Sequence, residues 1–334
     1  MNLEGRATIN DVASEAGVSV STVSKVLNGR YGVAVATAAL VQDVIERLGY
    51  ESSLVARSLR SHRTNVIGVL VAEFEPFSTE LLKGLSKAIT GSGYELLAYS
   101  GGGRAGGNAG WERRYLSRLS GTLIDGAILV TPTVVDSAYR IPVVAVDPHT
   151  GPSELPTVDS DSFTGAKTAT AYLIGLGHRR IGFLGGRADL ESARLREEGY
   201  RSALTAAGIP VDPDLMRVGG YREETADLPA RELLTMEHPP TAIFAANDLS
   251  AIRTMVVARA LSLRVPENLS VIGFDNIPES ALTIPALTTI NQPIQQMGFE
   301  AMKLLIDLIN GVEIGDPHRQ LTTSLVARGS CRAI

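Results

Sequence analysis

The chain has 334 residues, of which 44% are hydrophobic and 20% charged, and its formal net charge is −5 at pH 7. This length suits one small and one large globular domain, and the composition excludes a disordered chain. No apolar run approaches the roughly 20 residues of a membrane helix, and the first six residues lack the layout of a secretory signal, so we expect a cytoplasmic protein. The single cysteine, Cys331, excludes an internal disulfide and a cysteine-based zinc cluster.

The charge is unevenly distributed along the chain. Residues 1–63 hold seven Lys or Arg and six Asp or Glu, so the acidic excess lies in the remainder. Three of the positive residues, Arg57, Arg60 and Arg63, fall in one short segment. A phosphate backbone can use such a cluster, so the N-terminal part is compatible with nucleic acid in spite of the negative total.

Two short helices separated by a glycine turn are predicted near the N-terminus. Thr8 can cap a first helix that carries Asp11 at its third position and ends at about Ala16. Gly17 suits the turn, and Ser19 can cap a second helix whose apolar residues keep helical spacing. A three-residue break with a glycine is typical of a helix-turn-helix, whose second helix presents its early residues to the DNA major groove. A third helix is predicted from about residue 35 to 48.

The residues of this segment resemble the signature of the LacI-type family of bacterial repressors. The resemblance lies in Thr8-Ile9-Asn10-Asp11-Val12-Ala13, in Ala16-Gly17-Val18-Ser19 and in Thr22-Val23-Ser24-Lys25-Val26-Leu27-Asn28. It implies that Val20, Ser21 and Lys25 read bases; a valine can contact a thymine methyl group, and a lysine can donate to guanine. The other DNA-binding residues that it implies are Thr8, Ser19, Thr22, Ser24, Asn28 and Tyr31. The alternative is a small three-helix module that docks on another protein.

Residues 52–63 are predicted to form a hinge that is too short to be a stable helix alone in water. The family resemblance implies that Leu59 wedges into the DNA minor groove when two copies pair on an operator, with Ala56 beneath it and Arg57 beside it. A wedge of this kind costs unstacking energy, which the contacts of bent DNA offset. The alternative is that Leu59 is an ordinary apolar linker residue.

From Asn65 onward, short apolar strands alternate with amphipathic helices in two series. Continuous apolar strands between helices indicate parallel sheets that are covered on both faces. Residues 66–327 also resemble the periplasmic-binding-protein-like sensor of the same family, and the resemblance lies in Gly177-His178-Arg179-Arg180-Ile181-Gly182, Ala246-Asn247-Asp248, Gly273-Phe274-Asp275-Asn276 and Leu287-Thr288-Thr289-Ile290. The pattern and the resemblance together predict a small all-α helix-turn-helix headpiece followed by an α/β two-lobed, periplasmic-binding-protein-like sensor. The predicted boundaries are 1–51 for the headpiece, 52–63 for the hinge, 64–158 with 288–318 for the first lobe, and 159–287 with 319–334 for the second lobe.

Polar side chains follow several of the predicted strands. Ligands of such folds bind off the carboxyl ends of parallel strands, where carboxylate, amide and guanidinium groups can match sugar hydroxyls. The residues that the pattern and the resemblance together place in an effector site are Glu73, Phe77, Asp147, Ser192, Arg196, Tyr221, Asn247, Asp275 and Gln292. For each residue a structural role, such as a helix cap or an ion pair, is the alternative.

The hypothesis is thus a homodimeric repressor that binds a palindromic operator of double-stranded DNA and is released by a small sugar, either a mono- or an oligosaccharide. It is expected to need no cofactor or metal and to be no enzyme, because the sequence has neither a Gly-x-Ser-x-Gly nor a His-Glu-x-x-His motif. The glycine-rich residues 101–107 lack the Lys-Ser/Thr of a phosphate loop. Rival hypotheses are a sugar-binding transport component, an enzyme on an α/β scaffold and a purine-sensing repressor. Leu190 argues against the last of these, because the resemblance implies an arginine there in purine sensors.

Overall fold

A computed structural model of the protein describes residues 7–27, 31–50, 63–101, 110–120, 123–133, 139–150 and 154–334. The chain divides into an N-terminal unit that extends to Thr64 and a larger unit that comprises Asn65–Ser120 and Ile124–Ile334. The predicted hinge residues Ala56, Arg57 and Leu59, together with Asn28 and residues 102–107, lie outside the described residues.

The described part of the headpiece contains three helices, α1 (Ile9–Glu15), α2 (Val20–Leu27) and α3 (Val35–Leu48). The predicted cap of α1 is confirmed, since the backbone N–H of Asp11 donates to Thr8 Oγ1 and that of Thr8 donates to Asp11 Oδ2. Gly17 has the expected positive φ of 62°, and the N–H of Thr22 donates to Ser19 Oγ at 3.2 Å.

A small apolar core holds the three headpiece helices together. Val12 from α1, Val23 from α2, and Val41, Val44 and Ile45 from α3 are all buried against one another. Helical spacing of the apolar residues brings one face of each helix to this core. The opposite face of α2 is therefore left for solvent.

The first lobe is built on a six-stranded sheet. Its strands are β1 (Val66–Val71), β2 (Glu95–Ser100), β3 (Gly126–Val130), β4 (Val143–Val146), β5 (Thr157–Ser160) and β11 (His318–Leu321). They are arranged in the order β11-β5-β4-β3-β1-β2 and all pair in parallel. The helices of this lobe are α4 (Pro76–Ile89), α5 (Trp111–Leu119) and α10 (Ile294–Ile309).

The second lobe repeats this plan with a different edge. Its strands are β6 (Ile181–Gly185), β7 (Met216–Val218), β8 (Ala242–Ala245), β9 (Ser270–Asp275), β10 (Thr288–Asn291) and β12 (Ser324–Val326), arranged in the order β12-β10-β9-β8-β6-β7. Its helices are α6 (Ser162–Gly175), α7 (Glu191–Ala206), α8 (Glu223–Leu234) and α9 (Asp248–Ala260). Strand β12 is antiparallel to β10, so this sheet departs from the all-parallel prediction at one edge.

The chain crosses between the lobes three times, and each crossing falls a few residues later than predicted. β5 and β11 belong wholly to the first sheet, whereas β10 belongs to the second, so the predicted boundaries at residues 158, 288 and 318 are wrong. These strands are short and rich in Thr, Asp and Gln, and they therefore lack the apolar run that marked the central strands.

Each lobe has its own apolar core under the central strands. In the first lobe, α4 and α10 pack so closely that a side chain on Gly84 would collide with the backbone of Gln295. In the second lobe, Gly199 of α7 meets the backbone of Phe163 in the same way. Backbone contact of this kind fixes the helices against their sheets and holds the loops at the strand ends in position. None of the described helices combines the length and the apolar character needed to cross a membrane.

Candidate functional site

A cleft lies between the two lobes of the sensor, at the carboxyl ends of their central strands. This is where ligands bind in open parallel sheets. The structure brings eight of the nine predicted effector residues to its wall. They are Glu73, Phe77, Asp147, Ser192, Arg196, Tyr221, Asn247 and Asp275.

Arg196 is the most heavily bonded side chain of the cleft. Its side chain is only 4% exposed, and its Nη1 donates to the carbonyl oxygen of Ala246 at 2.6 Å and to Asp275 Oδ1 at 3.4 Å. Its Nη2 donates to Gln292 Oε1 at 2.7 Å, and its guanidinium carbon lies 3.8 Å from the centroid of the Phe274 ring. This network holds the guanidinium in one orientation before any ligand binds.

Gln292 does not line the cleft. Its amide oxygen accepts from Arg196, and its backbone N–H donates to the carbonyl oxygen of Asp275 at 3.2 Å. The structure therefore places this predicted residue behind the wall, where it supports the guanidinium. Asn247 lines the cleft but also caps α9, because its Oδ1 accepts from the N–H of Ser250 and its Nδ2 donates to the carbonyl oxygen of Tyr221.

Two aspartates at strand ends face the cleft and resist ionisation. Burial raises the pKa of Asp275 to about 7, although the Arg196 cation opposes the shift. Burial also raises the pKa of Asp147, against the same cation and the Ser192 hydroxyl, which donates to Asp147 Oδ2 at 3.1 Å. Both carboxyl groups are acceptors that can be stabilised by donors from a ligand.

Apolar and aromatic groups complete the wall. Phe77, Leu190, Leu249 and Ile277 face the cleft, together with the ring of Tyr221. The Tyr221 hydroxyl is buried and has no hydrogen-bond partner among the described residues, and burial raises its pKa to about 12. A buried hydroxyl without a partner is costly, so a ligand that bonds to it would gain stability.

Several wall residues have left-handed backbone conformations. The φ angles are 46° at Thr131, 48° at Asp147, 69° at Tyr221 and 110° at Asp275. Residues other than glycine rarely adopt such angles, and they collect at functional sites where the surrounding structure enforces them.

The sequence interpretation missed several residues at the mouth of the cleft, namely Glu75, His149, Arg187 and Arg222. Each lies within three residues of a predicted residue or in the loop after a predicted strand. Their position in these loops is the one feature of the sequence that could have indicated them. The partners of Arg222 and His149 come from the other lobe, and residue type alone does not reveal such pairing, whereas Arg187 pairs with Asp189 in its own loop.

Among the described residues, three polar side-chain contacts cross from one lobe to the other around the cleft, and Leu249, Ile252 and Ile277 of the second lobe also pack against the apolar core of the first. Arg222 Nη2 donates to Glu73 Oε1 at 2.8 Å, and His149 Nδ1 lies 3.2 Å from Asp189 Oδ2. The third contact is that of Ser192 with Asp147, and the backbone N–H of Glu191 also donates to the carbonyl oxygen of His149 at 3.0 Å. Polar contacts therefore join the two lobes around the opening of the cleft.

The headpiece presents a polar face on α2. Val20, with 40% of its surface exposed, stands there with Ser21 and Lys25, both of which are accessible to solvent. The hydroxyl of Ser19 bonds to those of Ser21 at 2.7 Å and Thr22 at 2.9 Å, and Ser24 is half-buried. Tyr31 is fully exposed, and Thr8 serves as the α1 cap. The predicted base-reading residues thus share one accessible surface.

Taken together, a helix-turn-helix unit and a two-lobed sensor with a polar cleft define the class of ligand-responsive DNA-binding regulators. Family comparison agrees: the model of the bacterial regulatory proteins of the lacI family matches residues 8–53, and that of the periplasmic binding protein-like domain matches residues 170–331.

Characterised relatives cover nearly the whole chain. The HTH-type transcriptional repressor CytR of Escherichia coli K12 is 33% identical over 99% of this chain and 98% of its own length. The HTH-type transcriptional repressor PurR of Yersinia pestis Pestoides F is 35% identical over 91% of this chain and 90% of its own. The chain therefore belongs to the LacI family of bacterial transcriptional repressors.

Solved structures show the same likeness. The transcriptional regulator CelR in complex with cellobiose matches with a TM-score of 0.73 and 32% identity, over 97% of this chain and 100% of its own. The lac repressor dimer bound to operator and the anti-inducer ONPF matches with a TM-score of 0.84 and 25% identity, over 98% of this chain and 100% of that one.

Proposed function

We propose that the protein is a repressor that binds a palindromic operator as a homodimer and is released when a small sugar binds in the cleft between the sensor lobes. The observation that carries this proposal is the cleft itself, in which Arg196 is held in place by the buried Asp275 and lies near the half-buried Asp147. Donors and acceptors fixed in this way suit a ligand with several hydroxyl groups.

The headpiece supplies the DNA-binding part of the proposal. Lys25 can donate to guanine O6 or N7, Val20 can contact a thymine methyl group, and Ser21 can bond to either kind of base edge. The hydroxyls of Ser19 and Thr22 can bond to phosphate oxygens without requiring net charge. This explains how a headpiece with little excess charge can still bind DNA.

Two copies of the chain are proposed to bind one operator. The second lobe exposes two large apolar side chains in one loop, Leu282 at 79% and Ile284 at 97%. Adjacent exposed apolar groups of this size favour burial against another surface. The similar lac repressor structure is a dimer bound to operator, which supports a second copy of this chain as the partner.

The proposed effector class follows from the cleft and from the relatives. CelR is seen with cellobiose, and a LacI family regulator from Enterococcus faecium is seen with bound ribose, at 26% identity to this chain. Leu190, which is buried in the wall here, supplies no guanidinium that could donate to a purine base. A neutral sugar is therefore favoured over a purine.

Release of DNA is proposed to follow from a change in lobe orientation. A ligand can shift the lobes only if it binds one arrangement better than the other. The contacts of Arg222 with Glu73 and of His149 with Asp189 cross the cleft, so a ligand that disturbs or reinforces them alters the balance between arrangements.

Catalysis and transport are the rival functions. The relatives that cover the full chain are repressors, which supports a regulator that has no enzymatic activity. A sugar-binding transport component would have no use for residues 8–53, which match the lacI family model. Conversion of any bound sugar into a product would revive the enzyme hypothesis.

The test uses the full-length protein, an operator selected from genomic DNA, and a panel of mono- and oligosaccharides. We expect at least one sugar to raise the melting temperature and to lower operator affinity in fluorescence anisotropy. Arg196→Ala should weaken sugar binding about 100-fold or more, because it leaves the polar groups that surround Arg196 buried and unpaired. Operator binding without sugar should be unchanged.

Arg194→Ala is the matched control. Arg194 lies on the same helix, but it is half-exposed and its guanidinium contacts only Glu191 and Glu198 among the described residues. We expect this variant to respond to sugar like the wild type. A full sugar response in Arg196→Ala would show that the effector binds elsewhere.

A further inference from the structure

The arginines of the cleft are already paired with carboxylates. Arg222 contacts Glu73 at 2.8 Å, and Arg187 forms a two-pronged contact with Asp189, its Nε donating at 3.1 Å and its Nη2 at 2.6 Å. The third arginine, Arg196, donates to four protein oxygens. Arg196 therefore has little left of the five N–H donors of a guanidinium, and the charges of Arg187 and Arg222 are each balanced by a carboxylate.

Arg187 and Arg222 both influence Glu75 at the mouth of the cleft. Both cations lower the pKa of Glu75, which burial nevertheless raises above its usual value. The carboxylate of Glu73 raises the pKa of Glu75. The mouth therefore carries Glu73, Glu75 and Asp189 against two guanidiniums, and an incoming anion meets an excess of negative charge.

The inner end of the cleft likewise offers no unpaired cation among its described lining residues. Asp147 and Asp275 are close enough that each aspartate contributes to the electrostatic environment of the shared neighbour Tyr221. Among the described residues that line the cleft, Arg196 is the cation that balances them there, and it is already bonded to Asp275. A phosphate or carboxylate would lose its water shell in this cleft without gaining an unpaired cation.

We infer that Glu73 and Asp189 determine the charge class of the effector: by occupying Arg222 and Arg187, they exclude phosphorylated and acidic sugars and admit uncharged ones. This inference deepens the proposed function and rests on it for the location of the effector. It assigns to two carboxylates at the mouth of the cleft a role in specificity that does not require them to contact the sugar.

The geometry shows why these two residues suit the role. The side chains of Glu73 and Asp189 are 34% and 53% exposed, so neutral amides can replace them without opening the core. The substitutions Glu73→Gln and Asp189→Asn would keep hydrogen-bonding capacity at both positions but release both guanidiniums from their charged partners. The mouth would then hold two cations against Glu75, and its charge would change sign.

The experiment follows inorganic phosphate binding to the full-length protein by thermal shift and calorimetry, at constant ionic strength with chloride as the reference anion. The variant is Glu73→Gln combined with Asp189→Asn. We expect no specific phosphate effect on the wild type. The double variant should bind phosphate roughly tenfold more tightly or better, as two freed guanidiniums at a partly buried site should allow.

Glu232→Gln is the control variant. It releases Arg217, which contacts Glu232 at 2.9 Å on the outer surface of the second lobe, away from the cleft. We expect it to bind phosphate no better than the wild type. Melting temperatures in chloride alone report whether each variant is folded.

Specific phosphate binding by the wild type would overturn the inference, as would a folded double variant with no gain in phosphate affinity. Neither result depends on an operator or on any sugar. Failure of the proposed function would instead appear as operator binding that no sugar alters. The two outcomes are therefore distinguishable.

Discussion

In the headpiece, the side chains predicted to read bases stand in solvent, whereas in the sensor the side chains predicted to bind the effector are already bonded to protein. Val20, Ser21 and Lys25 are accessible on α2. Arg196 and Asp275 are buried and bonded to each other. The two regions thus prepare for their ligands in opposite ways.

The difference reflects the two kinds of ligand. DNA is large and brings its own fixed array of phosphates and base edges, so the protein needs accessible donors on a rigid helix. A small sugar has few groups, so its binding energy depends on side chains that are oriented in advance. The headpiece should therefore be sensitive to loss of its fold, and the sensor to loss of individual polar contacts.

The largest effect is expected from Val23→Asp in the headpiece. Val23 is fully buried in a core of few residues, and a buried carboxylate there costs several kcal/mol, which is comparable to the whole stability of so small a unit. We expect operator binding to be abolished. Sugar binding by the sensor should persist in calorimetry.

Val20→Asp is the matched control for that variant. Val20 lies on the same helix but faces solvent, so the headpiece should keep its helical circular dichroism while its DNA affinity falls. If Val23→Asp retained operator binding, the packing of the three helices described above would be incorrect.

An intermediate effect is expected from Lys25→Ala. Loss of one base contact costs about 1–3 kcal/mol, so operator affinity should fall roughly 10- to 100-fold while binding to unrelated DNA changes much less. Arg47→Ala removes the same charge from the headpiece, but its guanidinium contacts Glu15. Anisotropy titrations in which both variants lost specific and nonspecific affinity equally would argue against base reading by Lys25.

The smallest effect concerns the pH dependence of sensor stability. The pKa of Asp275 is about 7 in the folded protein and near 3.8 without the burial. The folded state therefore keeps a proton that the unfolded state has lost, and this contribution to stability declines as pH rises from about 4 through 7. Asp275→Asn should remove this part of the decline with pH.

Urea unfolding at pH 5 and pH 8 measures this difference. The single tryptophan, Trp111, is buried in the first lobe, so its fluorescence follows unfolding of the sensor. Asp161→Asn serves as a control because Asp161 caps α6 outside the cleft. Equal pH slopes for the wild type and Asp275→Asn would contradict the raised pKa.

The elements with a strong local signal could be predicted from the sequence. The cap of α1 at Thr8, the turn at Gly17 and the end of α3 at Gly49 are local choices, because each depends on residues within one helical turn. The central strands of both sheets were equally clear, since strands buried on both faces need continuous apolar residues.

The outer strands and the rim of the cleft could not be predicted in this way. Five strands are only three or four residues long, namely β5, β7, β10, β11 and β12. They are stabilised by pairing with neighbouring strands rather than by apolar residues of their own. The contact between His149 and Asp189 joins loops of different lobes. Nothing in either loop indicates the partner, because the pairing depends on how two separate sheets are brought together.

The left-handed backbone at the strand ends limits how the effector preference can evolve. Thr131, Asp147, Tyr221 and Asp275 occupy conformations that most side chains, β-branched ones above all, adopt only with strain. A lineage that changes its sugar gains little by altering these positions. Leu190, whose φ is −100°, and Phe77, in the first turn of α4, carry no such constraint and are where new preferences can arise by single substitutions.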